Sequence, residues 1–330
     1  MVSPPALPGA SASSHLLIPF AGRGTPGCLA ALADLRLPHL EALLARLTLA
    51  HEDAQPPDTL SPPHERALAD ALGLPGTDGC IPWAAREAQQ AGLAQAGADA
   101  AWGVLTLCHW EVAIDEVVLD DPYGIAIDAA ESDTLLAAAR PFFEEDGIAL
   151  HATATPGRWL ACGELLRALP TASLDRVAGQ PISAWSPQTE AMRPWRKLQN
   201  EMQMLLYTQR VNDERMTRGV PSINSFWVSG TGALPPARAP QAATAAPEVA
   251  ESLRRPALRD DGAAWAEAWH VLDAGACARL LAEHQRGADV TLTLCGDRGA
   301  RRYAPRSRGF GRWLKGLFGR QPPSIVLEAL

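Results

Sequence analysis

The segment from Trp195 to Gly232 constrains the fold more than any other stretch of the chain. Trp195, Leu198, Met202, Leu205 and Leu206 recur at the spacing of one helical face, so a stripe of this segment must meet a core. Asn200, Gln203 and Tyr207 form a polar row beside that stripe. Gly219 and Pro221 end the helical run, one by tolerating a left-handed backbone and the other by lacking an N–H. Ile223 to Ser229 then reads as a strand, and Gly230-Thr231-Gly232 as a tight turn that breaks it. A helix, a stop, a buried strand and a glycine turn carrying small hydroxyls is the layout of a site in an α/β protein.

A chain of 330 residues is long enough for one large α/β domain or two smaller ones. Hydrophobic residues make up 47% of it and charged residues 20%, a balance that can fill a sizeable core. The net charge of -8 argues against nucleic-acid binding by bulk charge. Cys28, Cys80, Cys108, Cys162, Cys277 and Cys295 form no CxxC pair and no Cys/His cluster at zinc spacing. No metal and no other cofactor is therefore expected, and free thiols fit a cytoplasmic protein. The N-terminal residues lack the basic and apolar regions of a signal peptide. No run approaches the roughly 18 apolar residues of a membrane span.

Residues 1–14 are rich in Pro, Ser and Ala and are expected to be disordered. His15 to Phe20 reads as a first buried strand, followed by a glycine loop from Ala21 to Gly27. That loop has neither GxGxxG nor Walker spacing, so it reads first as a plain turn and only second as a phosphate cradle. Amphipathic patterns predict helices over 37–47, 64–72, 84–96 and 274–286, and one over 132–146 opening at a Ser cap. Strands are expected over 101–110, 117–119, 148–154 and 290–295. The expected division is an α/β core from 15–74 and 191–296, with 234–262 as a linker or long loop. An α+β subdomain over 75–190 is inserted in it, and 297–330 forms a basic amphipathic tail.

Within the organising segment, Asn212-Asp213-Glu214-Arg215, then Arg218-Gly219-Val220-Pro221-Ser222-Ile223-Asn224-Ser225, then a strand ending in Gly230-Thr231-Gly232, carry a resemblance. This pattern is similar to a segment of the archaeal-type cofactor-independent phosphoglycerate mutases of the alkaline phosphatase superfamily. With Leu198 to Leu206 included, it resembles still more the RpfE-type bacterial regulatory proteins. The match covers residues 195–232, with weaker agreement at Leu16 to Ile18, Pro38 to Leu44 and Thr291 to Cys295. The resemblance implies an α/β fold with a reduced alkaline-phosphatase-like core. It also implies a two-metal phosphoryl-transfer centre, for which this sequence lacks the pattern. Ile18-Pro19-Phe20-Ala21-Gly22 has no carboxylate where the family's first strand ends in a metal-binding Asp. After Gly232 only His270 and His284 remain, neither in a Gly-His pair. The expected function is thus a non-catalytic regulatory or scaffold protein on a degenerate mutase-like fold. The alternative is a phosphoglycerate mutase or related phosphoryl-transfer enzyme.

The residues expected to line a ligand site are Asn200, Gln203, Arg215, Asn224, Ser225, Gly230, Thr231 and Gly232. The amides otherwise bond to backbone, and Arg215 and Arg218 otherwise form salt bridges. Ser225 has no neighbouring base and no elbow motif to make it a nucleophile. His109 with Glu111, and Asp120 with Asp121, read as a solvated edge and a turn. In the tail, Arg306, Arg308, Arg312, Trp313, Lys315 and Arg320 interleave charge with aromatic surface. They suggest an anionic partner, nucleic acid or a membrane face, and with it a role beside a nucleic-acid enzyme. No protein partner is named by the sequence.

Overall fold

The computed structural model describes residues 13–94, 99–186, 189–235, 246–305 and 322–330. The fold is mixed α/β. Its strands are β1 (Ser14–Ile18), β2 (Leu47–Ala54), β3 (Ala101–Cys108), β4 (Trp110–Val112), β5 (Val117–Leu119), β6 (Ala149–Ala152), β7 (Arg158–Cys162), β8 (Ser225–Ala233), β9 (Glu248–Val249), β10 (Val290–Cys295) and β11 (Gly299–Pro305). Two compact units divide the chain. The first comprises Met1–Pro57 and Ala242–Leu330, and the second, Asp58–Gln241, is inserted between them.

The first unit holds a sheet of order β2-β11-β10-β1-β9. Strands β9, β1 and β10 run parallel, and β11 runs antiparallel to both β10 and β2. Buried Leu16, Ile18, Leu292 and Leu294 come from the two central strands, which carry apolar runs because helices cover them. Trp265 and Trp269 of the helix Gly262–Leu272 pack into the same core, edge to face with ring centroids 6.2 Å apart. Asp273, buried at the end of that helix, accepts hydrogen bonds from the Leu40 N–H (2.7 Å) and the His39 N–H (3.2 Å). It thereby caps the helix Pro38–Leu44, whose preceding residue, Leu37, cannot do so.

The second unit holds an antiparallel sheet of order β6-β7-β3-β8 and a hairpin of β4 with β5. The helix Arg193–Tyr207 lays Trp195, Leu198, Met202 and Leu206 against this sheet, as its sequence stripe requires. Trp195 meets Phe226 of β8 edge-on, with centroids 5.7 Å apart. The helix Ala129–Glu145 completes this core with Leu135, Leu136, Ala139 and Phe143.

Several expectations are corrected here. The organising segment lies in the inserted unit and not in the α/β core, because β8 pairs with β3 along its length. The insert therefore spans 58–241 instead of 75–190. Gly230 and Gly232 do not end the strand. They take positive φ values of 61° and 132° within β8, where the register against β3 slips between Trp102 and Val104. The glycines therefore build a bulge, not a turn, since such an irregularity uses backbone that side-chain-bearing residues avoid. The helix expected from Ser132 starts at Ala129, because Asp128 and Glu131 form a reciprocal capping box. The expected tail contributes β11 and the helix Pro323–Glu328 to the first unit. Its residues Arg306, Arg308, Arg312, Trp313, Lys315 and Arg320 lie outside the described residues, as does most of the segment expected to be disordered at the N-terminus. Among the described residues, no helix is long and apolar enough to cross a membrane.

Candidate functional site

The residues expected to line a ligand site all lie in the second unit. Asn200 faces solvent on its helix. Gln203 donates from Nε2 to Ser225 Oγ (3.3 Å), and Ser225 is 0% exposed. Asn224 Oδ1 accepts from the Trp110 N–H (2.7 Å), while its Nδ2 donates to the Trp110 carbonyl (2.9 Å). That pair of bonds ties β8 to the start of β4. Thr231 donates to the Leu169 carbonyl (2.6 Å), and the Cβ positions of Gly230 and Gly232 would fall 3.0 Å from Trp83 Cβ and 3.2 Å from the Cys80 carbonyl.

Arg215 is 1% exposed and donates to the Pro221 carbonyl (2.8 Å), the Ala126 carbonyl (2.7 Å) and Glu131 (2.8 Å). Asn212 holds the Ile223 backbone from both sides, through Nδ2 to the carbonyl (2.8 Å) and Oδ1 from the N–H (2.7 Å). The motif from Asn212 to Asn224 is thus a clamp. It fixes the helix Arg210–Thr217 to the entry of β8 and satisfies every polar atom named here without a ligand.

In a parallel α/β sheet, ligands bind beyond the carboxyl ends of the strands. At that edge of β1 and β10 the chain meets itself. A Cβ on Gly22 would stand 2.0 Å from the Leu327 carbonyl oxygen, and one on Gly296 would stand 2.5 Å from Leu330 Cβ. The Leu330 carbonyl oxygen accepts from the Arg298 N–H (2.6 Å) and the Gly299 N–H (3.0 Å). Val326, Leu327 and Leu330 are buried in the core of this unit. Asp297 is engaged by Arg23 (2.6 Å) and the Gly24 N–H (2.8 Å). Asp260 takes the Gly27 and Cys28 N–H groups (each 3.0 Å), and its carboxyl is held below the usual range, first by a hydrogen bond from Thr25. The family resemblance implies a two-metal centre. Two such ions need several free carboxylates and imidazoles, and both carboxylates here already serve the loop and helix beside them.

One grouping of metal-type donors exists among the described residues, and it lies in the second unit. His64 and Glu65 sit in the first turn of the helix Pro63–Leu72, and Asp175 in that of the short helix Leu174–Val177. His64 Nε2 is 3.0 Å from Asp175 Oδ2, and the Tyr123 hydroxyl donates to Asp175 Oδ1 (3.0 Å). Ser173 Oγ donates to one oxygen of Glu65, and Trp83 Nε1 donates to the other (3.2 Å). His64 and Asp175 are 6% and 9% exposed. Burial pushes the Glu65 carboxyl up, the His64 charge and the Ser173 bond oppose it, and the Asp175 charge adds to it. Chemically the trio can act as a hydrogen-bonded pin between two helices or as a ligand set for one cation.

Sequence reasoning missed this trio. His64 was legible only as the start of a helix, and Asp175 lies 111 residues further on.

No protein-family model matches the chain, and no curated protein matches it. Solved structures similar to it at low identity include the following two. A protein from Pyrococcus horikoshii is 12% identical, with a TM-score of 0.43, and the alignment covers 89% of this chain and 87% of that one. The cofactor-independent phosphoglycerate mutase from Thermoplasma acidophilum is 15% identical, with a TM-score of 0.34, covering 91% of this chain and 90% of that one.

Proposed function

We propose that the chain is a non-catalytic regulatory or scaffold protein built on a degenerate mutase-like α/β core. One observation carries this reading: the residues from Pro323 to Leu330 pack against Gly22 and Gly296, at the strand edge where an α/β enzyme would bind its substrate. A crevice filled by buried leucines offers a phosphate ester no polar cradle, and emptying it would expose apolar surface. The motif shared with phosphoglycerate mutases supports the same reading, since in this chain Asn212, Arg215 and Asn224 serve as a backbone clamp. Ser225 is buried beside Gln203, which is no base, so it is poorly placed as a nucleophile.

The test is a coupled assay on each phosphoglycerate isomer, with manganese, magnesium or zinc added in turn. No turnover above buffer is expected. Metal-dependent turnover that disappears in Ser225→Ala would overturn the proposal and make the chain an enzyme.

A further inference from the structure

We infer that His64, Glu65 and Asp175 form a structural site for one divalent transition-metal ion inside the second unit. The inference is independent of the observation that carries the proposed function, which lies in the first unit.

Three observations carry it. The first is donor chemistry. The ligating atoms of one imidazole and two carboxylates lie within 4.8 Å of one another. An imidazole beside carboxylates selects ions such as zinc or manganese over calcium or magnesium, which prefer oxygen alone. The second is spacing. Bonds of ~2.0–2.2 Å to a common ion at tetrahedral angles separate neighbouring ligand atoms by roughly 3.3–3.6 Å. His64 Nε2 and Asp175 Oδ2 stand at 3.0 Å, so an ion can replace their hydrogen bond with little movement of either helix.

The third is the surrounding shell. Asp175 is oriented by the Tyr123 hydroxyl, and Glu65 by Ser173 Oγ and Trp83 Nε1. Ligating carboxylates in metal sites are held in this way.

The experiment uses the full chain, stripped with a chelator and titrated with zinc alone by calorimetry. One ion per chain is expected, with a rise in Tm on binding. Glu65→Gln keeps the shape of the side chain and His64→Ala removes the imidazole; each should weaken binding at least tenfold. Cobalt in place of zinc should give the visible spectrum of nitrogen and oxygen ligands. Absence of binding, equal affinity in Glu65→Gln, or a thiolate charge-transfer band placing the ion on cysteines would each overturn the proposal. Should His64→Ala fail to fold, Glu65→Gln and the cobalt spectrum decide the matter.

Discussion

Arg215 and Glu131 form an ion pair at 2.8 Å, buried between the helices Arg210–Thr217 and Ala129–Glu145. Glu131 serves twice, since its carboxylate also accepts from the Asp128 N–H (3.1 Å) in the capping box. Removing the arginine therefore takes the buried partner from the Glu131 carboxylate, which keeps only Arg218 and the Asp128 N–H, and leaves the Ala126 and Pro221 carbonyls without that donor. Breaking such a pair from one side costs ~3–5 kcal/mol. Arg215→Met should lower the stability of the chain by about that much in urea unfolding. Arg218, half exposed on the same carboxylate, should cost under ~1 kcal/mol when changed to Met. Equal effects at the two positions would show that the geometry of the clamp does not matter.

Trp195 is 1% exposed and touches Phe143 and Phe226, with centroids at 6.3 and 5.7 Å. Truncation to Ala should cost ~3–5 kcal/mol through lost burial and the cavity left behind. Trp227, on the opposite face of β8, donates from Nε1 to the Ala172 carbonyl (2.8 Å). Trp227→Phe keeps most of the apolar body and strands that carbonyl, so a loss of ~1–3 kcal/mol is expected. Thermal unfolding checks both, and a loss under ~1 kcal/mol for Trp195→Ala would contradict the packing described.

How much of this was legible follows from which forces act locally. The stripe Trp195, Leu198, Met202 and Leu206 faces the core as its spacing demands, because amphipathic burial is written at helical period in the sequence itself. Strands β1 and β10 were legible as apolar runs for the same reason. Strand β2 was not: Leu47–Ala54 is largely exposed and polar, and it is a strand only because β11 pairs with it. The role of Arg215 was half legible. Its charge suggested an ion pair, but Glu131 lies 84 residues away. The segment Pro323–Leu330 read as part of a basic tail, because nothing local in it reveals that Gly22 and Gly296 leave room for it.

That room is the basis of a third prediction. Gly22→Ala would drive a methyl to 2.0 Å from the Leu327 carbonyl oxygen, which is backbone and cannot rotate aside. The segment must shift or detach. Overpacking of this kind costs ~1–3 kcal/mol. Limited proteolysis should cut the variant before Pro323 faster than the parent chain, while the second unit keeps its protection. Unchanged cleavage would mean that the edge of β1 is looser than these contacts imply.

The last prediction concerns His15, whose Nε2 is 2.8 Å from Thr293 Oγ1 across the pairing of β1 with β10. Burial first, and the charge of Arg302 second, together lower its pKa from 6.5 to about 4. The unfolded chain then binds a proton at higher pH than the folded chain does. A depressed folded value means that the contribution is fully present above about pH 6.5 and is lost as the pH falls towards about 4. His15 is partly exposed, so solvent reduces the effect to ~1–2 kcal/mol. Urea unfolding at pH 7.5, 6, 5 and 4 should show stability falling across that window. In His15→Asn, whose amide can still reach Thr293 and does not titrate, the slope should flatten by about the same amount. If the two profiles run parallel, the acid sensitivity of this fold comes from other groups and His15 is protonated in the folded chain as readily as in the unfolded one.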